Sequence, residues 1–248
     1  MSAYNEAITS HLASHHIKRL DIKAALIDMD GVLYDSMRNH TLAWKMLADS
    51  LGIEATRDEF YLYEGMTGVA TINLIHKRQF GTELTSEQAR EIYKIKTANF
   101  RSLPQVEPMP GALQMLNELR YHNIERVLVT GSGQADVINR IDNEYEGLFQ
   151  KNLRVTAADV KYGKPNPEPY IIGRKLANVM PHQAIVIENA PLGVKAGHDS
   201  GSFTIAVTTG PIPREALISH GADIVFPSMT AFADALPQLI ADFNSVEL

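Results

Sequence analysis

Apolar residues fall in two rhythms along this chain, and the changes of rhythm divide it into parts. Ala3, Ala7, Ile8, Leu12 and Ile17 recur at helical spacing, which predicts an N-terminal helix over residues 1–20 lying on the outside of the core. The apolar run at 24–27 reads as a buried strand. From Ser36 to about Leu103 the pattern is helical, interrupted at Gly52, at Glu64-Gly65-Met66-Thr67-Gly68 and at Gly81. A return segment with three prolines, Pro104, Pro108 and Pro110, then stiffens the chain as far as Gly111. Beyond it, short strands near 126–129, 153–156, 184–187, 204–207 and 224–226 alternate with helical stretches. Such alternation predicts an α/β fold, a parallel sheet with helices on both faces. The first strand joins the same sheet, so residues 36–105 form an inserted helical domain between core segments 21–35 and 106–248.

Composition narrows the function. With 248 residues, 45% of them hydrophobic, the chain can bury a full core and is not a disordered segment. A net charge of −6 gives no general attraction to nucleic acid or anionic membrane, so an anionic ligand needs a local site with its own cations. The absence of cysteine removes disulfides, thiolate metal sites and a cysteine nucleophile, which leaves oxygen or imidazole as metal ligands. No apolar run approaches the roughly 18 residues of a membrane helix, and no secretory pattern opens the chain. The expectation is a cytoplasmic, soluble monomer. His11 and His15 share a helical face at a spacing that can bind metal, but with no third ligand nearby they are expected to be solvated.

The first strand ends in two carboxylates, Asp28 and Asp30, at the edge of the sheet where open α/β folds bind ligands. Alternate residues of an extended segment share a side, so both can face one phosphate or ion. Asp28 is then placed to attack phosphorus, with Asp30 to protonate the leaving oxygen and later to take a proton from water. An aspartate-rich turn is the plain alternative; an EF-hand is excluded by the preceding strand and the missing ligand series. In Val129-Thr130-Gly131-Ser132-Gly133-Gln134, hydroxyls and backbone N–H groups can cup phosphate at a helix entrance, although the segment alone is also an ordinary glycine turn. It lacks the third glycine of a dinucleotide fingerprint. Lys164 sits in a proline frame, Gly163-Lys164-Pro165-Asn166-Pro167, that would fix its ammonium against an attacking carboxylate and a transferring phosphoryl group. Ala158 stands where a P-loop needs its first glycine. Glu188 and Asn189 end another strand with oxygens suited to a hard cation such as magnesium, or form a simple polar turn.

Together these segments resemble, over residues 22–240, the phosphotransferases of the haloacid dehalogenase superfamily, in the β-phosphoglucomutase-like branch. The resemblance implies a Rossmann-like core, a helical cap, magnesium and an aspartyl-phosphate intermediate. Carried onto this sequence, it makes Asp28 the nucleophile and Asp30 the acid/base and a backbone-carbonyl metal ligand. Ser132 becomes a phosphate contact, Lys164 the charge clamp, and Glu188 with Asn189 the metal side. In the cap, Ser36, His40 and Lys96 match a hydroxyl, a histidine and a lysine that place and release the acid/base aspartate. Two departures stand out: the mutase's cap arginine for a distal phosphate is Gly68 here, and the family's usual metal-binding aspartate is Asn189. Glycine cannot replace a charge-assisted arginine–phosphate contact. Glu64 could return the lost negative charge when the cap closes. The segments containing Glu64–Gly68, Thr130–Gly133 and Glu188–Gly193 more closely resemble bacterial members of the branch that act as inorganic pyrophosphatases.

The reading expected from the sequence is therefore a magnesium-dependent hydrolase of pyrophosphate or another small phosphate compound. A β-phosphoglucomutase interconverting β-glucose 1-phosphate and glucose 6-phosphate is the alternative. A phosphate-sensing scaffold is disfavoured by the intact aspartates and Lys164, and dehalogenation by the presence of Asp30. Asp28→Asn is expected to lower phosphate release on the order of 10³-fold or more while leaving the far-UV spectrum and melting temperature intact. Retained turnover in steady-state assays would reject the nucleophile.

Overall fold

The computed structural model describes residues 4–133 and 135–248; Ala3 and Gln134, named above, lie outside them. Six parallel strands form one sheet: β1 (Ala24–Ile27), β2 (Glu125–Val129), β3 (Arg154–Val155), β4 (Ala184–Glu188), β5 (Phe203–Val207) and β6 (Ile224–Phe226). Their order is β3-β2-β1-β4-β5-β6, so the chain reverses its direction of winding at β1, between β2 and β4. The expected α/β parallel sheet is borne out.

The strands read as apolar runs because both faces are covered. Along β1, Ala25 and Ile27 pack on one side, where α1 (Asn5–His15), α6 (Ala112–Tyr121), α7 (Ala135–Glu144) and α11 (Met229–Ser245) supply side chains. Leu26 points to the other side with Val127 and Val186, against α8 (Glu168–Leu176) and α9 (Pro191–Asp199). A smaller cluster under α10 (Arg214–Ser219) completes that layer with Ala206, Leu217 and Val225. The edge strand β3 stops at Val155 rather than continuing to 156, because Asp159 Oδ2 takes both the Thr156 N–H at 2.8 Å and its hydroxyl at 2.7 Å.

Between β1 and α6 lie four helices: α2 (Met37–Ser50), α3 (Arg57–Leu62), α4 (Gly68–Phe80) and α5 (Ser86–Ser102). They bury their own core of Trp44, Leu47, Ile53, Phe60, Ile72, Ile75 and Ala89. Local sequence sets their starts. Thr56 with Glu59 and Thr85 with Gln88 form capping boxes, and Thr67 accepts the Ala70 N–H to open α4.

The N-terminal segment corrects three expectations. The helix runs only over Asn5–His15, because His16 turns left-handed with φ 55°, its N–H closing on the Ala13 carbonyl and the Ile17 N–H on that of Leu12. Nor is it an external addition: Ile8 and Leu12 are fully buried in the main core. His11 is not solvated either. It is 2% exposed, its Nδ1 lies 3.0 Å from Asp223 Oδ1, and His15 stacks on it at 4.1 Å. No helix among the described residues is long and apolar enough to cross a membrane.

Leu12→Ala is expected to cost about 2–5 kcal/mol of unfolding free energy in a urea titration, the range for emptying a packed core position. A loss below about 0.5 kcal/mol, normal for a surface helix, would contradict the burial of α1.

Candidate active site

The reversal at β1 opens a crevice at the carboxyl edge of the sheet, and three strands deliver polar residues into it. Asp28 follows β1 and extends its ladder, its N–H donating to Ile187 O at 3.0 Å. Thr130 follows β2 and bonds across to Val155 O at 2.9 Å. Glu188 is the last residue of β4, with Asn189 next.

Lys164 ties these ends together. Its Nζ donates to Asp28 Oδ1 at 2.5 Å, to Glu188 Oε1 at 2.6 Å and to Val129 O at 3.3 Å, all out of solvent. One ammonium thus faces two carboxylates. Burial pushes the Asp28 carboxyl up to about 8 against the pull of Lys164, with the charges of Glu188 and Asp30 adding to the rise. Burial works against the Lys164 charge too, but its two carboxylates more than compensate and hold it above its ordinary range.

Asp30 stands in a second network. Its Oδ1 accepts from Ser36 Oγ at 2.6 Å and from His40 Nε2 at 3.0 Å, and His40 Nδ1 lies 2.6 Å from Lys96 Nζ. An ammonium has no lone pair, so Nδ1 accepts and Nε2 carries the proton given to Asp30. Burial alone would raise Asp30, but His40, Ser36 and Lys96 outweigh it and hold the carboxyl at about 2. Burial lowers His40, with Lys96 acting in the same direction and Asp30 against it. Burial also brings Lys96 down to about 8. Its Nζ is enclosed by the rings of Trp44 at 5.2 Å, Tyr93 at 5.9 Å and Phe100 at 5.2 Å.

The loop before α4 closes the crevice. Gly65 O sits where a Cβ on Gly131 would be 2.8 Å away, so loop and core are in direct contact. Between them remains a cavity of about 40 Å³ lined by Asp28, Asp30, Glu64, Lys96, Ser132 and Asn189 among others. By volume that is room for a few waters or one small group. Burial pushes the Glu64 carboxyl up to about 8, with the charges of Asp30, Asp28 and Glu188 adding and Lys96 opposing.

A divalent cation fits the unpaired oxygens here. Glu64 Oε1 and both polar atoms of the Asn189 side chain are buried without hydrogen-bond partners, beside Asp28. The two oxygens among these, Glu64 Oε1 and Asn189 Oδ1, are hard donors, as magnesium prefers. Glu188, grouped with the metal side from the sequence, is placed differently. Its Oε1 accepts from Lys164 and from Tyr170 Oη at 2.7 Å, and its Oε2 from the N–H groups of Asn189 at 2.9 Å and Ala190 at 3.2 Å. That carboxylate is fully occupied by protein donors. The phosphate loop is also partly self-satisfied, since the Ser132 N–H donates to Thr130 Oγ1 at 3.0 Å; Gly131 and Ser132 still line the cavity.

Tyr170 was missed in the sequence. Its hydroxyl anchors Glu188 and its ring lies 5.1 Å from Lys164 Nζ, and the only signal was a phenol on the buried face of the helix that follows the proline frame. The aromatic enclosure of Lys96 was missed as well. Its trace is the spacing of Tyr93, Lys96 and Phe100 on one helix.

Residues 22–201 match the family described as haloacid dehalogenase-like hydrolase. The chain belongs to this family. Hexitol phosphatase A of Escherichia coli is 30% identical over 215 residues, covering 84% of this chain and 91% of that protein. The β-phosphoglucomutase of Bacillus subtilis is 27% identical over 199 residues, 76% and 84% of the two chains. Among solved structures, a Bacteroides vulgatus protein provisionally named β-phosphoglucomutase superposes with a TM-score of 0.94 at 44% identity, covering 98% of each chain. As a haloacid dehalogenase-like protein with these relatives, the chain is an enzyme of phosphatase or phosphomutase type.

Gly31 keeps Asn189 in place. Its φ is +85°, and a Cβ there would fall 2.0 Å from Asn189 Nδ2. Gly31→Ala is expected to displace that amide and to lower turnover about tenfold or more, within reach of the loss in Asn189→Ala, as read by steady-state phosphate release. Wild-type kinetics in Gly31→Ala would contradict this packing.

Proposed function

We propose that this chain is a magnesium-dependent phosphohydrolase that works through phospho-Asp28 on inorganic pyrophosphate or a phosphate compound of similar size. The observation that carries the reading is Glu64, a cap carboxylate buried with an unpaired oxygen in the small cavity it shares with Asp28, Asp30 and Asn189. A carboxylate in that place repels a bare phosphate and suits one that arrives with a cation. Nothing comparable holds a distal sugar phosphate: no arginine lines the cavity among the described residues, and a Cβ on Gly68 would already sit 2.2 Å from the Tyr93 ring.

Asp28, Asn189 and Glu64 oxygens, with the Asp30 carbonyl, would hold magnesium, which supplies positive charge against the phosphoryl oxygens. An Asp28 oxygen bonds to phosphorus as the bridging P–O bond breaks, and Lys164 offsets the charge gathered between the two. The leaving phosphate takes the Asp30 proton. Asp30 is ionised beside His40 and Ser36 in this structure, and the negative charge of an incoming phosphate favours its protonated form. In the second half, water loses a proton to Asp30 and attacks phosphorus, the bond to Asp28 breaks, and phosphate leaves.

A second reading, β-phosphoglucomutase, is favoured by the His40–Lys96 pair behind Asp30 and by the 44% identical structure bearing that name. Phosphate release with magnesium, from pyrophosphate and from β-glucose 1-phosphate, separates the two, with Asp28→Asn as contamination control. Much faster release from pyrophosphate is expected, together with a loss of about 10–100-fold in Glu64→Gln. Negligible release from both, with glucose 6-phosphate appearing once a glucose bisphosphate primer is added, would establish the mutase instead.

A further inference from the structure

Helix α7 follows the phosphate loop in the chain, and its distal end touches both segments that cross between core and cap. Arg140 Nη2 donates to Val106 O at 3.0 Å, on the returning segment, and to Glu144 Oε1 at 2.7 Å, while its Nε reaches the same oxygen at 3.1 Å. The guanidinium carbon lies 4.9 Å from the ring centre of Tyr34, on the outgoing segment. Beside it, Tyr145 Oη donates to Leu33 O at 2.5 Å, and its ring meets that of Tyr34 edge-on at 5.8 Å.

Tyr34 is fully buried and closes the loop that carries Asp30. Its carbonyl accepts the Gly31 N–H at 2.8 Å and the Ser36 hydroxyl at 3.5 Å, and that same hydroxyl is the 2.6 Å donor to Asp30 Oδ1. Outgoing and returning segments are themselves joined, Met109 N–H to Leu33 O at 2.8 Å and Asp35 N–H to Glu107 O at 3.0 Å. Arg140 touches neither the cavity nor any residue of the Asp28–Lys164–Glu188 cluster.

We infer that Arg140 is a positioning residue for Asp30, acting through the Tyr34 ring and the Val106 carbonyl to fix the loop from which Asp30 meets the leaving oxygen. A planar guanidinium pinned by a carboxylate and laid on an aromatic face suits this task, and a lysine point charge does so less well. The inference rests on the reading of Asp28 as nucleophile and Asp30 as acid. It gives the site a graded weakness: a loosened Asp30 loop harms most the transfer that requires a proton at the leaving oxygen.

The test compares two small phosphate donors in rapid-quench single turnovers with magnesium. In both, an Asp28 oxygen bonds to phosphorus and the P–O bond to the leaving group breaks. Phosphate leaving from pyrophosphate needs a proton, and acetate leaving from acetyl phosphate does not. Arg140→Ala is expected to slow phosphorylation by pyrophosphate about tenfold or more, but by acetyl phosphate less than about threefold, with Arg140→Lys between. Equal slowing with both donors, or none with either, overturns the inference. Asp30→Asn is the reference. If it fails to discriminate between the donors, the acid assignment itself is wrong; if it discriminates and Arg140→Ala does not, only the role of Arg140 falls. Should Arg140→Ala fail to fold, Tyr145→Phe removes one hydroxyl from Leu33 O and carries the same comparison. Should pyrophosphate prove inert with wild type, the ester turned over in the substrate assay replaces it in the ratio.

Discussion

A single ammonium held between two buried carboxylates governs this molecule. Lys164 reaches Asp28 and Glu188 at once, and the three come from different parts of the chain, so the contact requires the sheet edge to be assembled before it can form. With both carboxylates ionised, the cluster would carry one negative charge more than Lys164 neutralises, and burial accordingly raises Asp28. Buried charge of that kind is costly unless a ligand completes it, and here the imbalance faces the cavity rather than the core. Tyr170 and the two backbone N–H groups on Glu188 keep that carboxylate occupied, which leaves Asp28 as the member turned toward a ligand.

The cap adds a second set of charges on the opposite wall. Lys96 is desolvated by three aromatic rings and hands its polarity to Asp30 through His40, while Glu64 brings a carboxylate whose Oε1 has no partner among the described residues. Acid/base group and attacking group are therefore tuned by different parts of the protein, one from the cap and one from the core. Their environments push them in opposite directions, Asp28 up and Asp30 down, so it falls to the incoming cation and phosphate to give each its working protonation state.

Much of this was legible in the sequence, for identifiable reasons. Strands covered on both faces show as apolar runs, and polar residues at their carboxyl ends must share one edge, so Asp28, Thr130, Glu188 and Asn189 could be grouped without coordinates. The N-terminal helix was misjudged because helical spacing continues to Ile17, whereas the chain turns at His16, and spacing does not say what an apolar face will meet. The part of Glu188 was hidden because it depends on a phenol arriving from α8. The desolvation of Lys96 was hidden because it depends on how α2 and α5 pack.

The strand order has a consequence for how the protein comes into being. β1 is the first strand made, yet its neighbours are β2 and β4, with the whole cap and much of the core between them in the chain. Asp28 therefore leaves the ribosome long before any partner that could orient it, and the ladder that fixes it waits for Ile187. Pairings of such long range close slowly and expose apolar strand edges meanwhile. A nascent chain interrupted between α5 and the fourth strand carries every residue of the cap's own core, but no complete active centre.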